Sequence, residues 1–138
     1  MKKILVAVDG SKPSMDAARM GLELAAATGA TLTLAYSVPP LLMPGEVPFT
    51  AVNEVLAAEK ARGKTILKQM LDELGTPSLA THELEGPVAE SIAALAEGEG
   101  YDLVVVGSRG RHAVARLFLG SVADRLIHIC QKPVLVVR

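Results

Sequence analysis

Two glycine-bearing stretches hold the residues most able to do chemistry. Gly107-Ser108-Arg109-Gly110 is followed, nine residues on, by Gly120-Ser121-Val122. Glycines let backbone N–H groups approach a ligand closely. A helix start adds unpaired N–H groups carrying partial positive charge. No acidic residue lies between Asp102 and Asp124, whereas Arg109, Arg111 and Arg116 all do. The chemistry such a stretch would serve is anion binding, in the form of a phosphate cradle. The same residues also suit a plain loop, with glycines for turning and arginines for solubility, and local chemistry leaves both open.

The elements around the stretch decide what it can do. It begins where the apolar run Leu103-Val104-Val105-Val106 stops, and it ends where Ser121, Val122, Leu126 and Ile129 take up helical spacing. It is therefore a loop from a buried strand into a helix. A second such junction lies near the start. Ile4-Leu5-Val6-Ala7-Val8 is a branched, continuous apolar run, which reads as a strand buried on both faces. Asp9-Gly10-Ser11 ends it, with Ser11 as an N-cap and Pro13 in the first helical turn. Gly29 stops that helix, and Thr31 to Ser37 makes the second strand. Residues 38–49 carry Pro39, Pro40, Pro44, Pro48 and Gly45, so a loop is expected there. Its Leu41, Leu42 and Met43 are expected to pack on something. Thr50 is read as the cap of a long helix to about Leu74, in which Gly63 is unfavourable by roughly 1 kcal/mol relative to alanine. Ser78 to Leu84 is a third, partly polar strand suited to an edge. Gly86-Pro87 opens a helix with Val88, Ile92 and Leu95 on one face. Val134-Leu135-Val136-Val137 forms the fifth strand.

Strict strand–helix alternation predicts one α/β domain, 1–138: an open five-stranded parallel sheet with helices on both faces. In strand order 3-2-1-4-5, a Rossmann-like arrangement, the winding reverses between strands 1 and 4. Ligands in such sheets bind at the C-terminal strand ends at that reversal. Asp9-Gly10-Ser11 and the Gly107 loop are the two junctions there.

Composition narrows the function. The 138 residues carry a formal net charge of −1 and only two Tyr, two Phe and no Trp. Neither a basic footprint nor stacking platforms for nucleic acid are present. Cys130 is the single cysteine, which suits a reducing compartment. No apolar run approaches a membrane span, and the expected location is cytoplasmic, without membrane attachment. No Gly-Lys-Ser/Thr follows a strand, and no Gly-x-Gly-x-x-Gly follows the first. Asp9 has no acidic neighbour of the kind a phospho-acceptor site needs. His82, His112 and His128 form no metal-ligand spacing with Cys130. No serine has an obvious His and Asp pair, and no general base for hydrolysis stands out.

Gly107-x-x-Gly110, nine residues, then Gly120-Ser121 resembles the ATP-binding motif of the universal stress protein family. Ile4 to Ser11, Glu85-Gly86-Pro87 and Lys132-Pro133-Val134 to Val137 match the same family, so the resemblance covers the whole chain. It implies that Asp9 meets the ribose hydroxyls, as a carboxylate accepts from hydroxyls and repels phosphate. It implies that the backbone at Ser37 or Val38 meets the adenine edge, and that Ala7 and Val106 line the site. Gly107, Gly110, Gly120, Ser121 and Val122 would hold phosphates, with Arg109 reaching the terminal ones. The implied cofactor is ATP, with or without Mg, and the implied assembly a homodimer. The apolar last strand, at a sheet edge, fits pairing with its own copy. The expectation is a stress-response sensing or signalling module, the alternatives being a slow ATPase using the same pocket and a nucleotide-free dimeric interaction module.

Overall fold

The apolar runs form strands because both their faces find cover. The computed structural model describes residues 1–41, 45–109 and 118–138. Along them run β1 (Lys3–Ala7), α1 (Lys12–Thr28), β2 (Thr31–Val38), α2 (Phe49–Leu74), β3 (Ala80–Glu85), α3 (Val88–Gly98), β4 (Leu103–Gly107), α4 (Ser121–Ile129) and β5 (Val134–Val137). The strands pair in parallel in the order β3-β2-β1-β4-β5. This is the expected α/β architecture, and the partly polar β3 stands at an edge.

Successive strand side chains point to opposite faces, and two cores result. Ile4, Val6, Leu34 and Val105 pack with Ala17 and Ala18 of α1 and Leu67 and Met70 of α2. Leu5, Ala7, Val104 and Val106 pack with Ile92 and Ala96 of α3 and Ala123 and Leu126 of α4. Each fully buried Leu or Ile contributes about 1.5–3 kcal/mol by leaving water. The register sets Ala7 beside Ala35 on one side and Val106 on the other. The end of β1 therefore lies level with the end of β4, and the two post-strand junctions are neighbours.

Two boundaries differ from the sequence reading. Helix α2 begins at Phe49, not after a Thr50 cap; Pro48 is its N-cap, with no side-chain hydrogen bond. The Pro48 carbonyl itself accepts from the N–H groups of Ala51 and Val52. Strand β3 starts two residues later than Ser78, because a turn bond from the Leu79 N–H to the Thr76 carbonyl occupies that segment. The sequence pattern puts Val55 or Leu56, Glu59, Arg62, Ile66, Met70 and Leu74 on one stripe of α2, broadened by Leu67 and Leu71. Leu67 and Met70 are buried, Leu56, Ile66, Leu71 and Leu74 pack against the same core, and Gly63 is buried beside them. Gly63 faces Tyr36, 1% exposed, whose ring lies so close that a Cβ at Gly63 would stand 2.7 Å from it. Leu42, Met43 and Pro44 lie outside the described residues, as does 110–117. Among the described residues no helix is long and apolar enough to cross a membrane.

Candidate functional site

The β1–α1 junction is built from four local hydrogen bonds. Gly10 takes φ +83°, a conformation glycine adopts without Cβ strain, and this turns the chain out of β1. The Ser11 N–H then donates to Asp9 Oδ1 at 2.8 Å. Ser11 caps α1, its Oγ accepting from the Ser14 N–H at 3.3 Å. Ser14 reaches back, accepting from the Asp9 N–H at 3.3 Å and donating to the Ser11 carbonyl at 3.0 Å. Asp9 is thus a turn residue as well as a candidate ligand group.

The β4–α4 junction is buckled by backbone bonds. The Ser108 N–H donates to the Val137 carbonyl at 2.7 Å, and the Ser108 carbonyl accepts from the Gly120 N–H at 2.6 Å. The two ends of the long glycine loop are therefore held together, and β5 holds them in turn. Gly120 is the N-cap of α4, with no side-chain cap bond. The first amides of α4, from Ser121 and Val122, have no acceptor within the helix. The Gly120 amide is already committed to Ser108. Gly107 packs against the backbone of α1, where a Cβ would lie 2.7 Å from the Pro13 carbonyl oxygen. That contact explains its lack of a side chain without reference to any ligand.

Both junctions open on one cleft of about 50 Å³. Ala7, Asp9, Val106, Gly107, Arg109, Gly120 and Val122 all line it, so seven of the residues singled out in the sequence come together. Ser121 stands beside it as the first residue of α4. Gly110 lies outside the described residues, as do Arg111, His112 and Arg116. Ser37 and Val38 end β2 and do not line this cleft. The Ser37 hydroxyl donates to the Gly86 carbonyl at 3.4 Å, and the Val38 carbonyl accepts from the Gly86 N–H at 3.1 Å. Val8, Ser14, Val88 and Ala123 also line the cleft and were not picked out from the sequence. The run Asp9-Gly10-Ser11-x-x-Ser14 held the signal for Ser14. Val88 follows the Gly86-Pro87 turn directly.

Two helix starts form one wall of the cleft, and an ion pair fixes them. Arg125 of α4 donates from Nε to Glu90 Oε1 of α3 at 2.8 Å. That hydrogen bond holds the exposed Glu90 carboxyl below its ordinary value near 4.5. A wider groove of about 830 Å³ lies on the other side of Asp9, between α1 and α2. Its rim includes Arg19, Arg62 and Glu73, exposed residues of both signs. It is larger, yet the glycine loop and the α4 start face the small cleft, and volume alone does not define a site. Among the described residues no three His, Cys, Asp or Glu groups come together to hold a metal ion.

A model of the universal stress protein family matches residues 1–138. The chain belongs to the universal stress protein family. It is 35% identical over 140 aligned positions to universal stress protein MJ0531 of Methanocaldococcus jannaschii, covering 99% of this chain and 82% of that one. Among solved structures it resembles universal stress protein UspA from Lactobacillus plantarum, with a TM-score of 0.87 at 26% identity, covering 99% and 97% of the two chains. A universal stress protein in complex with cAMP has the same fold, with a TM-score of 0.65 at 23% identity over 99% of this chain and 97% of that one. This fold is the scaffold on which the two junctions meet.

Proposed function

We propose that this universal stress protein binds an adenine nucleotide, ATP alone or with Mg, in the cleft between the ends of β1 and β4. The observation that carries the reading is convergence. A carboxylate suited to hydroxyls and a glycine loop with an open helix start line the same cleft, at the reversal of strand order. Asp9 would accept from the ribose, while the Ser121 and Val122 amides and Arg109 would meet phosphate. A divalent ion would arrive on the phosphate oxygens, because Asp9 is the only described acid lining the cleft. The adenine class has support from a structure of this fold that holds cAMP. The role is stress sensing or signalling in the cytoplasm, as a homodimer paired through β5.

The test has two arms. Freshly purified protein, precipitated and analysed for released nucleotide, is expected to yield adenine nucleotide, and calorimetry to show ATP binding. Gly120→Val is expected to remove that binding and leave the fold. Gly120 stands at φ −63° and ψ 154°, which valine adopts without backbone strain, and its branch would obstruct phosphate at the helix start. Unchanged affinity in a folded Gly120→Val protein would defeat the proposal. Steady ADP release above background would turn it toward a slow ATPase.

A further inference from the structure

One buried hydroxyl at the cleft is unused by the reading above. Ser14 is 4% exposed and lines the cleft beside Asp9, Ala7 and Gly107. It stands at the third helical position of α1, three residues after the Ser11 cap. A side chain there commonly reaches back to the N–H of the cap residue. Ser14 reaches further, past Ser11, to the Asp9 N–H at 3.3 Å, and also donates to the Ser11 carbonyl at 3.0 Å. Ser11 in turn holds Asp9 Oδ1 from its own N–H at 2.8 Å. The bonds close a ring through Asp9, Ser14 and Ser11. The Ser11 bond helps to orient the carboxylate within its turn. The Ser14 bonds fix that turn to the helix, and so to the β4 end against which Pro13 packs.

We propose that Ser14 is a positioning residue whose hydroxyl sets the Asp9 carboxylate for recognition of ribose hydroxyls. It thereby gives the site its preference for ribonucleotides over deoxyribonucleotides. The proposal rests on the nucleotide reading of the cleft. Ser14 need touch no part of the ligand. It acts by holding the acceptor in one place, where a small displacement would lose a directional bond.

The experiment compares ATP with 2′-deoxy-ATP and 3′-deoxy-ATP by calorimetry on the full chain, with thermal melts to follow folding. Wild type is expected to prefer ATP by about tenfold over the analogue lacking the bonded hydroxyl, the weight of one hydrogen bond to a charged acceptor. Ser14→Cys is near in size but a poor hydrogen-bonding group, and its preference is expected to fall to within about twofold. Ser11→Ala removes the cap of α1 yet keeps the backbone N–H that holds Asp9 and the Ser14 bond to Asp9. It is expected to melt earlier with the preference intact. Should Ser14→Cys not fold, Ser14→Ala, which only removes atoms, carries the same expectation. A folded Ser14 variant with the wild-type preference overturns the proposal, as does an equal collapse of preference in Ser11→Ala. Wild type that binds ATP without discrimination overturns it alone, whereas wild type that binds no nucleotide removes the underlying reading as well.

Discussion

Gly107 shows why a residue's type and its role must be argued separately. From sequence, its bare backbone reads as access for phosphate. In the fold, the end of β4 and the first turn of α1 approach so closely that a Cβ would meet the Pro13 carbonyl oxygen at 2.7 Å and its carbon at 2.8 Å. Both neighbours are backbone, and no side-chain rotation relieves them. Gly107→Ala is therefore expected to destabilise the protein by about 1–3 kcal/mol, the usual cost of forcing atoms into a filled space. Chemical denaturation measures it, and an unchanged midpoint would show that α1 moves aside freely. The contrast with Gly120 is direct. There the backbone is ordinary, and the expected lesion is in binding. Asp9 is double in the same way, since its Oδ1 serves the turn whether or not a ribose is bound. A sequence shows that a glycine or an aspartate stands after a strand; which of two demands put it there becomes visible only once the packing partner is known.

At the scale of elements, helix α2 makes the same point with a sign that can be measured. Helical propensity alone says that Gly63→Ala stabilises by roughly 1 kcal/mol. The Tyr36 ring, buried in the sheet face below, would stand 2.7 and 2.8 Å from the new methyl at Cδ1 and Cε1. Either the ring or α2 must shift, so Gly63→Ala is expected to lower the melting temperature; a rise would mean that one of them gives way at little cost. The periodicity of α2 was legible, but this long-range contact with β2, which makes Gly63 part of the buried face, was not. A second element-level device lies where β1 starts. Asp102, just before β4, accepts from the N–H groups of Lys2 at 2.6 Å and Lys3 at 2.9 Å. These bonds favour the charged carboxylate and hold its pKa below the ordinary value near 3.8. A carboxyl lowered in the folded state stabilises it above the unfolded pKa, and that help fades as pH falls through the folded value. Asp102→Asn should thus flatten the acid side of the stability profile below about pH 4, followed by urea midpoints across pH. An unchanged slope would assign the acid limb to other carboxylates.

At the scale of the whole molecule, the parallel α/β class followed from alternation and apolar patterning, because those rules act on every element at once, whereas the order 3-2-1-4-5 is one of several that alternation allows. The cleft followed from the order, as β1 and β4 must end side by side where the winding reverses. What the pattern could not supply was the direction of each peptide at the sheet edge, on which the proposed pairing through β5 depends. The Val104 N–H donates to the Pro133 carbonyl at 2.9 Å, and the Ser108 N–H to the Val137 carbonyl at 2.7 Å. Polar groups alternate sides along a strand, so residues 133, 135 and 137 face β4, while the peptides of Val134 and Val136 face outward. Pairing with a second copy would use those outward groups. Val136→Pro removes one outward N–H and leaves the β4 ladder whole, and proline is tolerated on an edge strand. The expected outcome is a folded monomer where wild type sediments as a dimer. A Val136→Pro protein that remained dimeric at the same concentration would place the contact on another face. The same substitution leaves the Val137 carbonyl in place to hold Ser108 and, through it, the glycine loop. Nucleotide affinity measured on that monomer would then report whether one chain suffices to build the cleft, and the buckle from β5 through Ser108 to Gly120 argues that it does.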